Sequence, residues 1–250
     1  VLSDVDKEAG VCLVDIGGGT TDIAVFYDNI IRHTAVIPLG GEIVTSDIRM
    51  GCNVLAHQAE LLKTRFGKAI AEEASENEIV SIPGIRNRPA KEISMKNLAA
   101  IIQARMEEII EFVYSELMQS GYHKQLAGGI VLTGGGALMP HLTQLFEYCT
   151  GIDTRIGYPN EHLGKCPDEE LKSPMYATSI GLVLAGFMSI DNREERYRTE
   201  YAQGVVQNSG LRHSAPEEAP KEGKTRTFGF LQTISDTLKR TMKDSGDDSY

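Results

Sequence analysis

Asp15, Gly17, Gly18, Gly19, Thr20 and Thr21 stand close enough in the chain to act on one ligand. Apolar runs flank them, Val11 to Ile16 before and Ile23 to Phe26 after, so the stretch reads as a β-hairpin with a Gly-rich turn. Glycine lets a backbone approach a ligand closely, and successive free N–H groups then make a concave anion site suited to phosphate. Asp15 at the mouth of the first strand would repel a bare phosphate. It makes sense if a magnesium ion lies between them, held through its water shell. The plain alternative is a tight hairpin whose glycines serve geometry only. A second cluster, Gly134, Gly135 and Gly136, follows the apolar run Ile130 to Leu132 and precedes a helix carrying Leu142, Leu145 and Phe146. A strand, a Gly turn and a helix N-terminus again suit an anion, although many α/β proteins carry such a turn. No Gly-x-Gly-x-x-Gly spacing occurs here, which argues against a dinucleotide fingerprint.

Several elements must hold these clusters. Ile30 to Leu39 reads as a third strand after a turn at Asn29, and Gly40-Gly41 breaks the pattern. Thr45 or Ser46 can cap a helix running from Asp47 towards Leu55, and a second helix from His57 to Phe66 closes at Gly67. Glu78 to Pro83 reads as a short strand, followed by a loop up to Pro89. Leu98, Ile101, Ile102, Met106, Ile109, Ile110 and Val113 recur at spacings of three and four, which predicts a long core helix from Ser94 to Ser120-Gly121. Thr154 to Tyr158 reads as an edge strand, the polar stretch 160–172 as a loop, and Pro174 to Met188 as a closing helix.

The run from Gly10 to Gly41 carries a family resemblance. Asp15 to Asp22 resembles the second phosphate hairpin of the actin, Hsp70 and sugar-kinase ATPases. Arg32-His33-Thr34, Val36-Ile37-Pro38 and Val44-Thr45-Ser46-Asp47-Ile48 extend the likeness to the FtsA family, the actin relatives that tie the tubulin-like FtsZ ring to the membrane in bacterial division. The resemblance implies an α/β, actin-like (RNase H-like) half-molecule over residues 1–190, with two subdomains, the smaller at roughly 50–125. In this superfamily the hairpin opens the second half, so the resemblance also implies that a first half is missing and the nucleotide cleft is one-walled. ATP with Mg2+ would bind at the subdomain junction, with Gly134 to Gly136 against the nucleoside and α-phosphate. Glu60 and Lys63, three apart on one helix face, would hold the ribose and lie against the adenine. On spacing alone they are an ordinary exposed ion pair. The water-activating group normally lies in the first half, so this chain by itself is expected to be at most a weak ATPase.

Composition sets the outer bounds. The chain has 250 residues, 41% of them hydrophobic, enough to fill a core. A net charge of −10 excludes a general nucleic-acid binder. Cys12, Cys52, Cys149 and Cys166 show neither Cys-x-x-Cys nor metal-site spacing and read as buried or idle thiols, which suits a reducing cytoplasm. No signal peptide is evident, and no apolar run is long enough to cross a bilayer. Arg86, Arg88, Lys91, Lys96 and Arg105 make a locally basic stretch, which could be no more than a solvated face. The resemblance implies that this subdomain receives the C-terminal tail of FtsZ, with Lys91 and Arg105 as the binding cations.

Beyond Asp191 the composition changes. Residues 191–226 are charged and polar with Pro216 and Pro220, and read as a disordered linker. In residues 227–243, Phe228, Leu231, Ile234, Leu238 and Met242 fill one helical arc, with Phe230 adding a second aromatic. Lys239, Arg240 and Lys243 lie on the opposite side, and an acidic tail, 244–250, follows. This pattern reads as an amphipathic helix at the surface of an anionic membrane, the plain alternative being a helix that docks on its own domain. One such anchor is weak and reversible: about 5–10 kcal/mol of gross apolar burial is largely offset by ordering the segment. A filament presenting many would be firm. Together with this pattern, the resemblance implies an ATP-binding, self-assembling adaptor on the inner face of the cytoplasmic membrane at the septum, touching FtsZ and other division proteins. The competing expectation is a soluble actin- or Hsp70-like ATPase of the rod-shape, plasmid-segregation or pilus-assembly kind.

Overall fold

The computed structural model describes residues 1–84, 89–160 and 169–202. Contacts divide the chain into a unit Val1–Glu195 and a unit Arg196–Tyr250, and both sheets belong to the first. The expected membrane residues Phe228, Phe230, Leu231, Ile234, Leu238, Lys239, Arg240, Met242 and Lys243 lie outside the described residues, as do Arg86, Arg88, Cys166 and the tail.

A short helix α1 (Asp4–Ala9) opens on a Ser3–Asp6 capping box, a signal present in the sequence but not anticipated. The hairpin forms as expected from β1 (Val11–Ile16) and β2 (Thr21–Tyr27). Asp28 and Asn29, both left-handed at φ 53 and 59, turn the chain into β3 (Ile30–Ile37). Then come α2 (Gly41–Cys52), α3 (Ala56–Phe66), β4 (Ile79–Ile82), β5 (Lys91–Ser94) and α4 (Met95–Ser120). The last part holds β6 (Ile130–Thr133), α5 (Leu142–Thr150), β7 (Thr154–Ile156) and α6 (Ala177–Ala202).

The main sheet has the order β3-β2-β1-β6-β7. β1, β2 and β3 run antiparallel in succession, whereas β6 is parallel to β1 and to β7. β1 is central because it is apolar throughout except Asp15, as a strand covered on both faces must be. One face buries Cys12, Val14 and Ile16 against α4, whose Leu98, Ile102, Ile109 and Val113 are all fully buried. The other face carries Val11, Leu2 and Val131, with Leu13 and Phe26 beside them. Gly121 ends α4 with φ 76, the left-handed stop expected there.

Three elements depart most from the sequence reading. α2 starts at Gly41, six residues before Asp47. Gly40 is its N-cap because a Cβ there would lie 2.6 Å from the Gly18 carbonyl oxygen, so the dipeptide read as a break is a tertiary contact. α3 does close at Gly67 as expected, though with φ −64 and not in a left-handed cap; a Cβ would lie 2.3 Å from the Lys63 carbonyl oxygen. β5 occupies part of the expected loop and pairs antiparallel with β4, a partner that local sequence does not announce. α6 continues to Ala202, past the expected linker start at Asp191. Charged residues there are good helix formers, and neither Gly nor Pro interrupts them before Gly204.

Candidate functional site

The hairpin turn is the start of the site. Gly17 N–H donates to the Thr20 carbonyl at 2.9 Å, closing the turn. Thr21 is fully buried and its hydroxyl donates to the Leu39 carbonyl at 2.8 Å, so this side chain faces the protein. Thr20 is exposed, with its hydroxyl on Asp22 at 3.0 Å. None of Gly17, Gly18 and Gly19 has a left-handed φ. A Cβ on Gly18 would come no closer than 3.7 Å to the Glu42 carboxylate, and one on Gly19 would meet nothing within 4 Å. Neither backbone conformation nor packing within the chain requires glycine at these two positions. Glycines kept for hairpin geometry alone would show the reverse.

Helix α2 fixes how the turn faces. Gly41 N–H donates to the Gly17 carbonyl at 2.9 Å, and Glu42 N–H to the Gly18 carbonyl at 2.8 Å. These carbonyls answer the unpaired N–H groups that every helix start presents. In a planar trans peptide the N–H points opposite to the carbonyl. The N–H groups of Gly18 and Gly19 are therefore turned away from α2, towards the open side, and no described residue accepts from them. Two adjacent outward N–H groups in a turn are an arrangement suited to an anion.

Lys63 braces this corner. Its ammonium reaches the Gly41 carbonyl at 2.9 Å, the Thr45 hydroxyl at 2.8 Å and Glu60 Oε2 at 2.8 Å. An ammonium has three N–H donors, and all three are engaged. The Lys63 side chain is only 14% exposed, so it ties α3 to the start of α2 and does not present a free charge. Glu60, 48% exposed, is the member left open to a ligand. Partial burial pushes its carboxyl up, but hydrogen bonds from Lys63 and Thr45 outweigh this and hold it below the usual range.

The second glycine cluster packs onto the end of β1. Register places Thr133 opposite Asp15. Gly134 has φ 82, and a Cβ on it would sit 2.3 Å from Asp15 Oδ1 and 2.6 Å from the Ile16 carbonyl oxygen. A Cβ on Gly136 would sit 2.3 Å from Ile16 Cγ2, whereas one on Gly135 would find only Met175 Cγ at 4.0 Å. Past the cluster, Ala69 N–H donates to the Pro140 carbonyl at 2.9 Å, linking the end of α3 to the same loop. The structure thus brings Asp15, Gly17, Gly18, Gly19, Thr20, Glu60, Lys63, Gly134, Gly135 and Gly136 into one connected rim. Thr21 supports it from behind.

Asp15 is half-buried, and its Oδ2 accepts from the Thr178 hydroxyl at 2.6 Å. Among the described residues no three carboxylate, His or Cys groups gather into a metal cage. One carboxylate beside a turn of outward N–H groups does fit magnesium, which keeps most of its waters and is held by one or two carboxylates plus substrate phosphate.

Lys91 and Arg105 lie elsewhere. Arg105 Nε donates to Asp47 Oδ2 at 2.5 Å and its Nη2 to Asp47 Oδ1 at 3.2 Å, with Glu108 as a third contact. The hydrogen bond to Asp47 raises the guanidinium pKa further, against a smaller opposing effect of burial. Among the described residues Lys91 reaches only the Asn53 carbonyl, at 3.4 Å, and it is exposed. The two cations therefore differ: one is clamped by carboxylates, the other is open. Cys12 is buried and its thiol pushed up to about 12, so it is an inert core group. Gly40, Gly41, Thr45 and Thr178 were not recognised as site residues from sequence. The Gly40-Gly41 pair was the available signal.

The model of the family "Cell division protein FtsA" matches residues 12–181. The cell-division protein FtsA of Pseudomonas aeruginosa is 41% identical over 186 residues, covering 74% of this chain and 44% of that protein. FtsA of Bacillus subtilis is 41% identical over 182 residues, covering 73% and 40%. The chain thus spans less than half the length of these curated relatives. Among solved structures, MreB5 of Spiroplasma citri bound to ADP superposes with a TM-score of 0.58 at 20% identity, covering 77% of this chain and 57% of that one. A PilM–PilN type IV pilus biogenesis complex gives 0.54 at 18%, covering 73% and 47%. These likenesses establish the actin-like fold, and the matched run from the hairpin through the start of α6 shows that the chain belongs to the FtsA family of cell-division proteins.

Proposed function

We propose that the chain binds Mg-ATP on the rim formed by the two glycine clusters and serves as the nucleotide-holding part of an actin-like adaptor in bacterial division. The carrying observation is the turn at Gly18 and Gly19. Their N–H groups face outward, no described residue takes them, and the absent Cβ atoms leave open space. Phosphate oxygens fill that space, with Gly18 and Gly19 N–H donating. Asp15 holds the water shell of magnesium, and the ion supplies the positive charge that lets carboxylate and phosphate share one site. Glu60 offers its exposed oxygen to the ribose, Lys63 keeps α3 in register, and Gly135 lies against the nucleoside.

The remainder of the reading rests on family membership and the C-terminal pattern. Residues 227–243 anchor the protein to the anionic inner face of the membrane at the septum, self-assembly multiplies that anchor, and the face around Lys91 and Arg105 takes the C-terminal tail of FtsZ. Two measurements test the proposal. Gly18→Ala and Gly19→Ala should keep or slightly raise thermal stability, by at most about 1 kcal/mol, while weakening Mg-ATP binding at least tenfold; unchanged nucleotide affinity in both variants refutes the site. Flotation on anionic liposomes should require residues 227–243. A version stopped after Arg226 that floats equally well removes the anchor, and if neither floats, a soluble actin-like ATPase becomes the better account.

A further inference from the structure

Asp15 projects from the sheet face opposite α4, the face that it shares with Val11 and Leu13. Among the described residues its polar partner is a hydroxyl and not a cation: Thr178 in the first turn of α6, at 2.6 Å from Oδ2. Its other oxygen, Oδ1, is packed where a Cβ on Gly134 would be 2.3 Å away. An aspartate carboxylate turns broadly about its last torsion when nothing holds it. Here one oxygen is bonded and the other packs against Gly134, which limits how the carboxylate can turn. Thr178 is exposed, but the turn leading to it is anchored. It follows the turn Pro174–Tyr176, whose Pro174 carbonyl accepts from Gly134 N–H at 3.1 Å and from the buried Thr133 hydroxyl at 3.4 Å. Below this pair, Leu13, Phe26, Ile180, Gly181 and Leu184 line an apolar cavity of about 380 Å³ that Asp15 and Thr178 also border.

We propose that Thr178 is a positioning residue for magnesium at this site: its hydroxyl fixes Asp15 Oδ2 and thereby the face that the carboxylate turns to the hydrated ion. This rests on the Mg-ATP reading above and extends it to a residue of α6, far along the chain from both glycine clusters. Partners of this kind orient ligands that they do not replace, and their loss typically lowers metal affinity about 10- to 100-fold. Thr178→Val keeps the branched shape and deletes only the hydroxyl; Thr178→Ser keeps the hydroxyl and deletes the methyl group.

The test uses the full 250-residue chain and measures ATP affinity by calorimetry with magnesium and with EDTA, for the wild type and both variants. The readout is the ratio of the two affinities. Thr178→Val should reduce that ratio about tenfold or more while leaving the EDTA affinity unchanged, and Thr178→Ser should restore most of it. A Thr178→Val ratio equal to that of the wild type overturns the proposal, as does an equal loss with and without magnesium, which would mark a merely structural role. If the wild type itself shows no magnesium dependence, the Mg-ATP reading fails first and this inference falls with it. That outcome is distinct from a variant that behaves like a magnesium-dependent wild type.

Discussion

Three consecutive glycines, Gly134, Gly135 and Gly136, should respond to alanine in three different ways. At Gly134 the backbone has φ 82, and the new Cβ would lie 2.3 Å from Asp15 Oδ1 and 2.6 Å from the Ile16 carbonyl oxygen. A left-handed L-residue costs about 1–2 kcal/mol and forced overpacking about 1–3, so Gly134→Ala should lose about 2–5 kcal/mol. The Ile16 oxygen belongs to central strand backbone, so relief would require moving β1 itself. At Gly136 the clash is with Ile16 Cγ2 and Cβ, at 2.3 and 2.7 Å, without the left-handed penalty. Gly136→Ala should therefore lose about 1–3 kcal/mol. At Gly135 the nearest atom is Met175 Cγ at 4.0 Å, an ordinary contact. Gly135→Ala should stay within about 0.5 kcal/mol of wild type. For a domain of this size about 1 kcal/mol shifts Tm by roughly 2–4 °C, so thermal unfolding followed by circular dichroism separates the three. The expected order of melting is Gly134→Ala lowest, Gly136→Ala next, and Gly135→Ala with the wild type. Equal melting of Gly135→Ala and Gly134→Ala would refute the packing of the second cluster on β1, and with it the joined rim.

The charges give two further outcomes. Lys91→Glu and Arg105→Glu should both weaken binding of an FtsZ C-terminal tail peptide, but only the second should also destabilise the fold. It sets a third carboxylate against Asp47 and Glu108, both now in contact with Arg105, at about 1–3 kcal/mol; equal Tm values for the two variants would contradict the clamp. Glu60 has a carboxyl held below its ordinary value of 4.5, so the unfolded chain takes up its proton first. Its contribution is thus complete above that value and is lost as pH falls through the lower folded one. Tm should be flat from neutral pH down to that value and decline below it, and Lys63→Met should make the decline shallower; an unchanged acid limb would place the stabilisation elsewhere.

The hairpin, the long helix α4 and the strand leading to Gly134 were legible in the sequence for a local reason. β-branched runs, a helical apolar period and glycine punctuation act within a few residues and need no partner to be read. The family, too, was carried by contiguous letters from Gly10 to Gly41. The start of α2, the pairing of β5 and the continuation of α6 were not legible. The capping groups of α2 are carbonyls from a different element, β5 is defined by β4, and a polar composition is as compatible with an exposed helix as with a linker.

The same division runs through the site. Residue type nominated Asp15 and both glycine clusters, glycine for close approach and a carboxylate for magnesium, whereas Glu60 and Lys63 were nominated only by the family resemblance. Only the tertiary structure could tell the glycines apart. Gly18 and Gly19 leave room that no part of the described chain uses, whereas Gly134 and Gly136 are filled by Asp15 and Ile16. It also turned Lys63 from an exposed charge into a saturated brace and supplied Thr178, a distant hydroxyl on the key carboxylate. What a side chain can do is written in its chemistry; what it is free to do depends on which neighbours folding has already given it.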